Sequence, residues 1–315
     1  MIKAKIRVSG IVWLVAMCVL MFSCTDRGTN STNIRNNGPK PSDNGTVSKK
    51  EVLFSLSHIN KLELKGNFSH PKYSPDGRRI LLTQPDGTGL YYIDTKKDPA
   101  IDNTKVVKLN AVPQAGMDAC WSADSKEVLY YDNTDGAIKR HGINSFDINP
   151  VSDISRIGMG WYATSDGQET ILNRDSNTGH VTVSNLTNGM TTQILTTNDE
   201  HIRIIPSPDR KMVLAQTGNG SDVYWVDGSG IIADLKSFVG TCWSIDSSYI
   251  LGFMRGSNNS DLYVYSIAEA VLKQITNTND VSEVWPSWSS AGNAIVYRDE
   301  ISRSVIVADL EIITE

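Results

Sequence analysis

Paired cysteines are missing from this chain. It has four cysteines in 315 residues, at positions 18, 24, 120 and 242, and no Cys-x-x-Cys among them. A paired-thiol motif for metal or redox chemistry is therefore excluded. A Gly-x-Ser-x-Gly nucleophile elbow, a Gly-rich phosphate loop and a His-Glu-x-x-His helix are absent as well. Those absences remove the signatures of the commonest hydrolase, nucleotide-binding and metalloprotease sites. Base is not in excess: 30 Lys and Arg stand against 35 Asp and Glu, a net charge of −5. A nucleic-acid partner thus has little electrostatic support. Long apolar runs are scarce too. The one marked stretch runs from Val8 to Phe22, with Ser9 and Gly10 inside it, and falls short of the roughly 20 residues that span a bilayer as a helix.

What abounds is a repeated phrase. It begins as Tyr73-Ser74-Pro75-Asp76-Gly77 and returns as Trp121-Ser122-Ala123-Asp124-Ser125, Thr164-Ser165-Asp166-Gly167, Ser207-Pro208-Asp209-Arg210, Trp243-Ser244-Ile245-Asp246-Ser247 and Trp288-Ser289-Ser290-Ala291-Gly292. A phrase recurring roughly every 40 residues signals the stacking of one small unit. Its chemistry is that of a turn: Pro75 presets φ, Asp76 can bond its own backbone, and Gly77 accepts positive φ. Each copy is followed by an apolar run such as Arg79–Thr83, Glu127–Tyr131 or Tyr249–Phe253, then by a polar loop, an alternating run such as Leu90–Ile93 or Leu262–Tyr265, and a weaker fourth run such as Leu272–Thr276. Four short β-branched and aromatic runs per unit read as the antiparallel strands of a propeller blade. The phrase then joins the innermost strand to the second, with its Tyr or Trp packing between neighbouring blades.

The string Pro71-Lys72-Tyr73-Ser74-Pro75-Asp76-Gly77-Arg78-Arg79-Ile80-Leu81-Leu82-Thr83, continued by Leu90-Tyr91-Tyr92-Ile93-Asp94, resembles the TolB-type β-propeller repeat. The resemblance covers roughly residues 60 to 315; it is strong in the first, second, fifth and sixth units and faint in the third. It departs from TolB in leaving no room before residue 60 for the separate α/β domain that precedes the TolB propeller, so the TolB role in envelope assembly is not carried over. The expected fold is all-β: a six-bladed β-propeller of four-stranded antiparallel blades over residues 51–315. The last unit lacks a fourth strand of its own after Val305–Leu310. Lys61-Leu62-Glu63-Leu64-Lys65 is expected to supply it from the N-terminal side, which closes the ring and removes an exposed edge. Val52–Leu56 is left as an extra edge strand or a lead-in.

Ahead of the repeats, Lys3, Lys5 and Arg7, the apolar stretch and Ser23-Cys24 read as a secretory leader over residues 1–23. Leu20-Met21-Phe22-Ser23-Cys24 resembles a bacterial lipoprotein cleavage box, which implies lipidation of Cys24 with diacylglycerol and a further acyl chain such as palmitate. Several chains of that kind give stable anchoring. Residues 24–50 are Asn-, Ser-, Thr- and Gly-rich with almost nothing apolar, a composition that cannot form a core. As a flexible coil they would hold the propeller on the order of 28 Å from the membrane. The expected place is the bacterial envelope, lipid-anchored at the periplasmic face or cell surface and more readily in the outer membrane, as a monomeric propeller. Cys18 leaves with the leader. Cys120 and Cys242 stand before the Trp of the second and fifth phrases, across the axis of a six-fold ring and beyond the reach of a disulfide; two buried reduced thiols are expected.

The loops entering each innermost strand should surround the mouth of the channel, opposite the phrase turns. They carry Phe68 and His70, Met117 and Asp118, Met159, Glu200, His201 and Arg203, Phe238, and Glu283 and Trp285. His70, Asp118, Glu200, His201, Arg203, Glu283 and Trp285 are the candidate ligand-binding residues, since imidazoles and carboxylates suit both ligand contact and acid–base work. No catalytic residue, metal ligand set or cofactor is assigned. Asp132–Gly136 and Asp175–Gly179 lack the alternation and terminal Glu of a calcium loop and read as hairpin turns. His58, His141 and His180 read as surface or strand residues. Two functions remain open: a binding or scaffold propeller for an envelope protein or glycan, without nucleic acid, or an enzyme. Similar repeats occur in oligogalacturonate lyases, which act on acidic sugars through His and a metal in the mouth, and the resemblance to them is confined to the repeat.

Overall fold

The computed structural model describes residues 52–95, 105–151, 157–163, 169–174, 181–185, 191–195, 203–227, 229–290 and 293–314. The leader, Cys24, the tether, the third phrase, Asp175–Gly179, His180, Glu200 and His201 lie outside them, as do Ala291 and Gly292 of the last phrase. The described residues contain strands and no helix, hence no helix long and apolar enough to cross a membrane.

The N-terminal strand is β1 (Val52–Lys61). β2 (Ser69–Tyr73), β3 (Arg79–Thr83), β4 (Leu90–Asp94) and β5 (Val107–Asn110) form one sheet. The next consists of β6 (Cys120–Trp121), β7 (Glu127–Asp132), β8 (Ala137–Gly142) and β9 (Ile148–Pro150). It is followed by the sheet of β10 (Ile157–Ala163), β11 (Glu169–Arg174), β12 (Val181–Asn185) and β13 (Thr191–Leu195). Then come β14 (Arg203–Pro206), β15 (Met212–Thr217), β16 (Gly220–Trp225) and β17 (Ile231–Lys236). β18 (Phe238–Trp243), β19 (Tyr249–Arg255), β20 (Ser260–Ser266) and β21 (Val271–Gln274) follow. β22 (Glu283–Trp288), β23 (Ala294–Asp299) and β24 (Ser304–Thr314) take β1 as their fourth strand. All pairings are antiparallel between sequence neighbours except β1 with β24. The architecture is a β-propeller of four-stranded antiparallel blades.

Strand periodicity explains the packing. Along β3, Ile80 and Leu82 face one neighbour while Leu81 faces the other, because successive side chains point to opposite sides. Ile80, Leu82 and Ile93 therefore meet Val296 and Val305 of the last sheet, and Leu81, Leu90 and Tyr92 meet Trp121, Val128 and Tyr130 of the next. The same interleaving joins Val213 and Ala215 to Leu172 and Val181, Met212 and Leu214 to Phe238 and Ile250, and Phe253 and Leu262 to Val284 and Tyr297. Buried on both faces, these strands are apolar almost throughout.

The phrase is a hydrogen-bonded latch. In four copies a buried serine donates to the Asp two residues on: Ser74 to Asp76 at 2.6 Å, Ser122 to Asp124 at 2.7 Å, Ser207 to Asp209 at 2.6 Å and Ser244 to Asp246 at 2.5 Å. Each serine Oγ also accepts the amide that begins the second strand, at Arg79, Glu127, Met212 and Tyr249. The residue after the Asp has positive φ: 67° at Gly77, 62° at Ser125, 64° at Arg210 and 62° at Ser247. Glycine suits this conformation best. At the serines the hydroxyl is put to use, since Ser125 Oγ accepts the Asp76 amide of the preceding sheet and Ser247 Oγ that of Asp209, both at 3.0 Å. The phrase Trp adds a second tie, with Trp121 Nε1 donating to Lys72 O and Trp243 Nε1 to Ile205 O, both at 3.0 Å.

The fourth strand of the last sheet differs from the sequence expectation. It is β1, not residues 61–65. Val52 to Ser57 pair with Thr314 to Asp309, and after a bulge Asn60 and Lys61 pair with Val307 and Ile306. β24 runs on to Thr314 and so offers its ladder to the more distal segment. Leu62 and Leu64 instead turn onto the core shared by the first and last sheets.

Candidate functional site

Inner strands β2, β6, β14, β18 and β22 together line a cavity of about 180 Å³. Three of them are bulged where they reach it. The register slips between Ser69 and Lys72 in β2, between Gly240 and Cys242 in β18, and between Val284 and Ser287 in β22. In β2 and β22 the slip falls on an X-Pro pair, His70-Pro71 and Trp285-Pro286, with positive φ of 49° at His70 and 54° at Trp285. Proline has no N–H to lose from the ladder, so a bulge accommodates it. The twin bulges bring the two rings together, with centroids 4.3 Å apart and planes at 32°. Phe253 packs edge-on against Trp285 at 5.2 Å.

The cavity is cationic. Lys72 Nζ donates to the carbonyls of Ala119 at 2.6 Å, Met117 at 3.4 Å and Gly116 at 3.5 Å, so its three protons are held by neutral acceptors. Burial and the Arg203 guanidinium pull its pKa well below the lysine range, opposed by Asp118 and Cys120. Arg203 also lines the cavity, and its Nε is buried with no hydrogen-bond partner. His70 is buried, and neither ring nitrogen has a hydrogen-bond partner. Burial, then Lys72, Arg203 and Arg298, lower its pKa to about 3, so the imidazole is neutral at ordinary pH. Arg298 donates to Phe68 O and to Asn67 Oδ1, the latter at 3.0 Å.

Of the candidate residues, His70, Arg203 and Trp285 therefore converge. Asp118 is half-buried, and its carboxylate acts on both Lys72 and Arg203. Glu283 does not join them. It is 2 % exposed and accepts from Thr278 Oγ1 at 3.0 and 3.2 Å; burial raises its pKa to about 7 against that hydrogen bond. Phe68 and Phe238 are core residues rather than exposed aromatics. Glu200 and His201 lie outside the described residues. Among the described residues no three His, Cys, Asp or Glu side chains come together as a metal site. Asp132–Gly136 is a turn, with Lys139 bonded to both Asp132 and Asp135 at 2.7 and 2.5 Å.

Sequence reasoning missed Lys72, Thr241 and the two thiols as channel residues. Cys120 and Cys242 form no disulfide, and both are half-buried rather than buried. Trp288 N donates to Cys242 Sγ at 3.2 Å, while burial pushes that thiol's pKa up to about 12 and keeps it protonated. A further cavity of about 410 Å³ lies at the phrase turns, walled by Trp121, Trp243, Trp288 and Ile245.

No known family model matches the chain, and no curated protein is similar in sequence. Solved structures share its fold. TolB from Acinetobacter baumannii is 16 % identical with a TM-score of 0.50, over 78 % of this chain and 64 % of that one. A putative TolB from Agrobacterium tumefaciens is 15 % identical with a TM-score of 0.54, over 84 % of this chain and 99 % of that one. The oligogalacturonate lyase of Vibrio parahaemolyticus is 12 % identical with a TM-score of 0.50, over 83 % and 98 % of the two chains. At such identities the likeness concerns the fold alone.

Proposed function

We propose that this chain is a lipid-anchored binding protein of the bacterial envelope, periplasmic or surface-facing and more readily in the outer membrane. In this reading residues 1–23 are a lipoprotein leader, Cys24 carries the lipid and residues 24–50 are a tether. The sheets of residues 51–315 close as a six-bladed ring in which β1 completes the last blade, and this monomeric ring meets an envelope protein or glycan at its channel. The observation that supports binding most is the charge of the channel. Lys72 and Arg203 stand beside a neutral His70 with Asp118 as their counter-charge. Such a recess attracts an anionic group, whereas the alternative lyase-like reading needs a metal cation beside His70, which Lys72, Arg203 and Arg298 oppose. The TolB-like fold adds support for a binding or scaffold role.

Fractionation of cells carrying the native chain and Cys24→Ala, with mass analysis and a photo-crosslinker at exposed Met117, tests this reading. The expected result is membrane-bound native protein with an acylated Cys24, a soluble variant, and a crosslink to an envelope protein or glycan. Unmodified Cys24 in a soluble native protein would overturn the anchor. Metal-dependent cleavage of an acidic oligosaccharide would overturn the binding role in favour of the lyase.

A further inference from the structure

We infer that the channel cavity is a receptor site for a small ring-bearing monocarboxylate, whose carboxylate is held by Arg203 and whose ring lies against the Trp285 wall. A guanidinium stays charged and offers five N–H donors. Among the described residues Arg203 makes no hydrogen bond or ion pair, and its Nε is shut off from solvent. A half-buried guanidinium with one donor shut off from water and left unbonded is disfavoured unless something pairs with it. The second cation does not relieve the first, because Lys72 Nζ is spent on three backbone carbonyls. Among the described residues Asp118 is the one carboxylate that acts on Arg203, and it makes no hydrogen bond or ion pair with the guanidinium, whose donors are left without an acceptor.

A carboxylate fits that deficit, since it accepts two parallel N–H bonds from a guanidinium. The rest of the cavity calls for an apolar body. Pro71, Trp121, Trp285 and Pro286 line it, and the positive-φ bulges hold His70 and Trp285 in place as one stacked wall. The site rests on the channel being the binding face proposed above.

The test is titration of the full chain, purified in detergent, with benzoate and with benzamide at low salt, read by Trp fluorescence and by melting temperature. Benzoate is expected to saturate, quench the fluorescence and raise the melting temperature as a native-state ligand does, while benzamide does neither. Arg203→Met is expected to weaken benzoate at least ten-fold. The same variant should melt no lower than the native chain without ligand, because an unpaired charge is removed; Arg203→Lys should retain part of the affinity. Equal binding of benzoate and benzamide, no binding of either, or full affinity in Arg203→Met would overturn the site. A melting temperature lowered by Arg203→Met would also overturn it, since the guanidinium would then be paired within the chain, as by Glu200. This titration needs no membrane and no partner, so it can fail while acylation and crosslinking succeed, and the reverse.

Discussion

At the scale of single residues the phrase serine does more than the phrase aspartate. Ser74 is 1 % exposed; it donates to Asp76 and accepts the Arg79 amide at the start of β3. Ser74→Ala strands that amide in a place water does not reach, and an unsatisfied buried donor costs about 1–3 kcal/mol. Chemical denaturation should register that loss with an unchanged slope, and Ser74→Thr, which keeps the hydroxyl, should recover part of it. Glu283 predicts an effect of the other sign. Its folded pKa of about 7 lies above the ordinary 4.5, so the charged form is the disfavoured one. Below about pH 4.5 both states hold the proton and Glu283 costs nothing. Between 4.5 and 7 the unfolded chain ionises while the folded one does not, and stability falls as pH rises. Glu283→Gln keeps an acceptor for Thr278 and escapes this penalty. Its melting temperature should match the native chain at pH 4 and exceed it at pH 8; a constant difference across that range would refute the assignment.

At the scale of elements, β1 decides how the last sheet is finished. Its inner residues pack across the sheet boundary: Phe54 meets Tyr249 of β19 edge-on at 5.3 Å, and Lys273 Nζ donates to Val52 O at 2.6 Å. Phe54→Ala removes a half-buried ring and an aromatic pair, a loss of about 2 kcal/mol. Deletion of residues 52–61 goes further, because it leaves all of β24 as a bare edge, and bare edges pair with other chains. Light scattering should show concentration-dependent association of that deletion and none for Phe54→Ala. The misplacement of this strand in the sequence is instructive. Both Val52–Leu56 and Lys61–Lys65 alternate suitably, and the choice between them depends on how far β24 extends, which alternation does not encode. The strands that follow each phrase were legible because phrase and strand are adjacent in sequence. The channel lining was not. Bulges at His70, Thr241 and Trp285 shift the alternation by one residue, and a one-residue slip reverses which side chains face the axis. Lys72 thereby passed as part of the phrase's flank, and Glu283, which shares strand β22 with Trp285 but precedes the bulge, turned into the core.

At the scale of the whole molecule the phrases act as a set, because each of the four described latches holds its own turn and two of them grip the latch of the next sheet. Asp76 N reaches Ser125 and Asp209 N reaches Ser247, so adjacent sheets are tied at their turns as well as through their apolar faces. The four phrase aspartates share one electrostatic state. Burial works against ionisation at Asp76, Asp124, Asp209 and Asp246, but the serine hydroxyl and a backbone amide outweigh it and bring each pKa below the ordinary value of 3.8. A folded pKa that is depressed gives stability present above the unfolded value and lost as pH falls through the folded one. His70 adds to the same trend, since its lowered pKa makes protonation in the folded state unfavourable below about pH 6.5. The native chain should therefore lose melting temperature steeply below about pH 4, the ordinary carboxylate range. Replacing all four aspartates by Asn keeps an acceptor at each turn but removes the charge. That variant should melt lower than the native chain at pH 7 and decline less between pH 4 and 2, so that the two curves approach each other in acid. Parallel curves would show that the turn carboxylates do not govern acid stability and would move the cause to His70 and the channel cations.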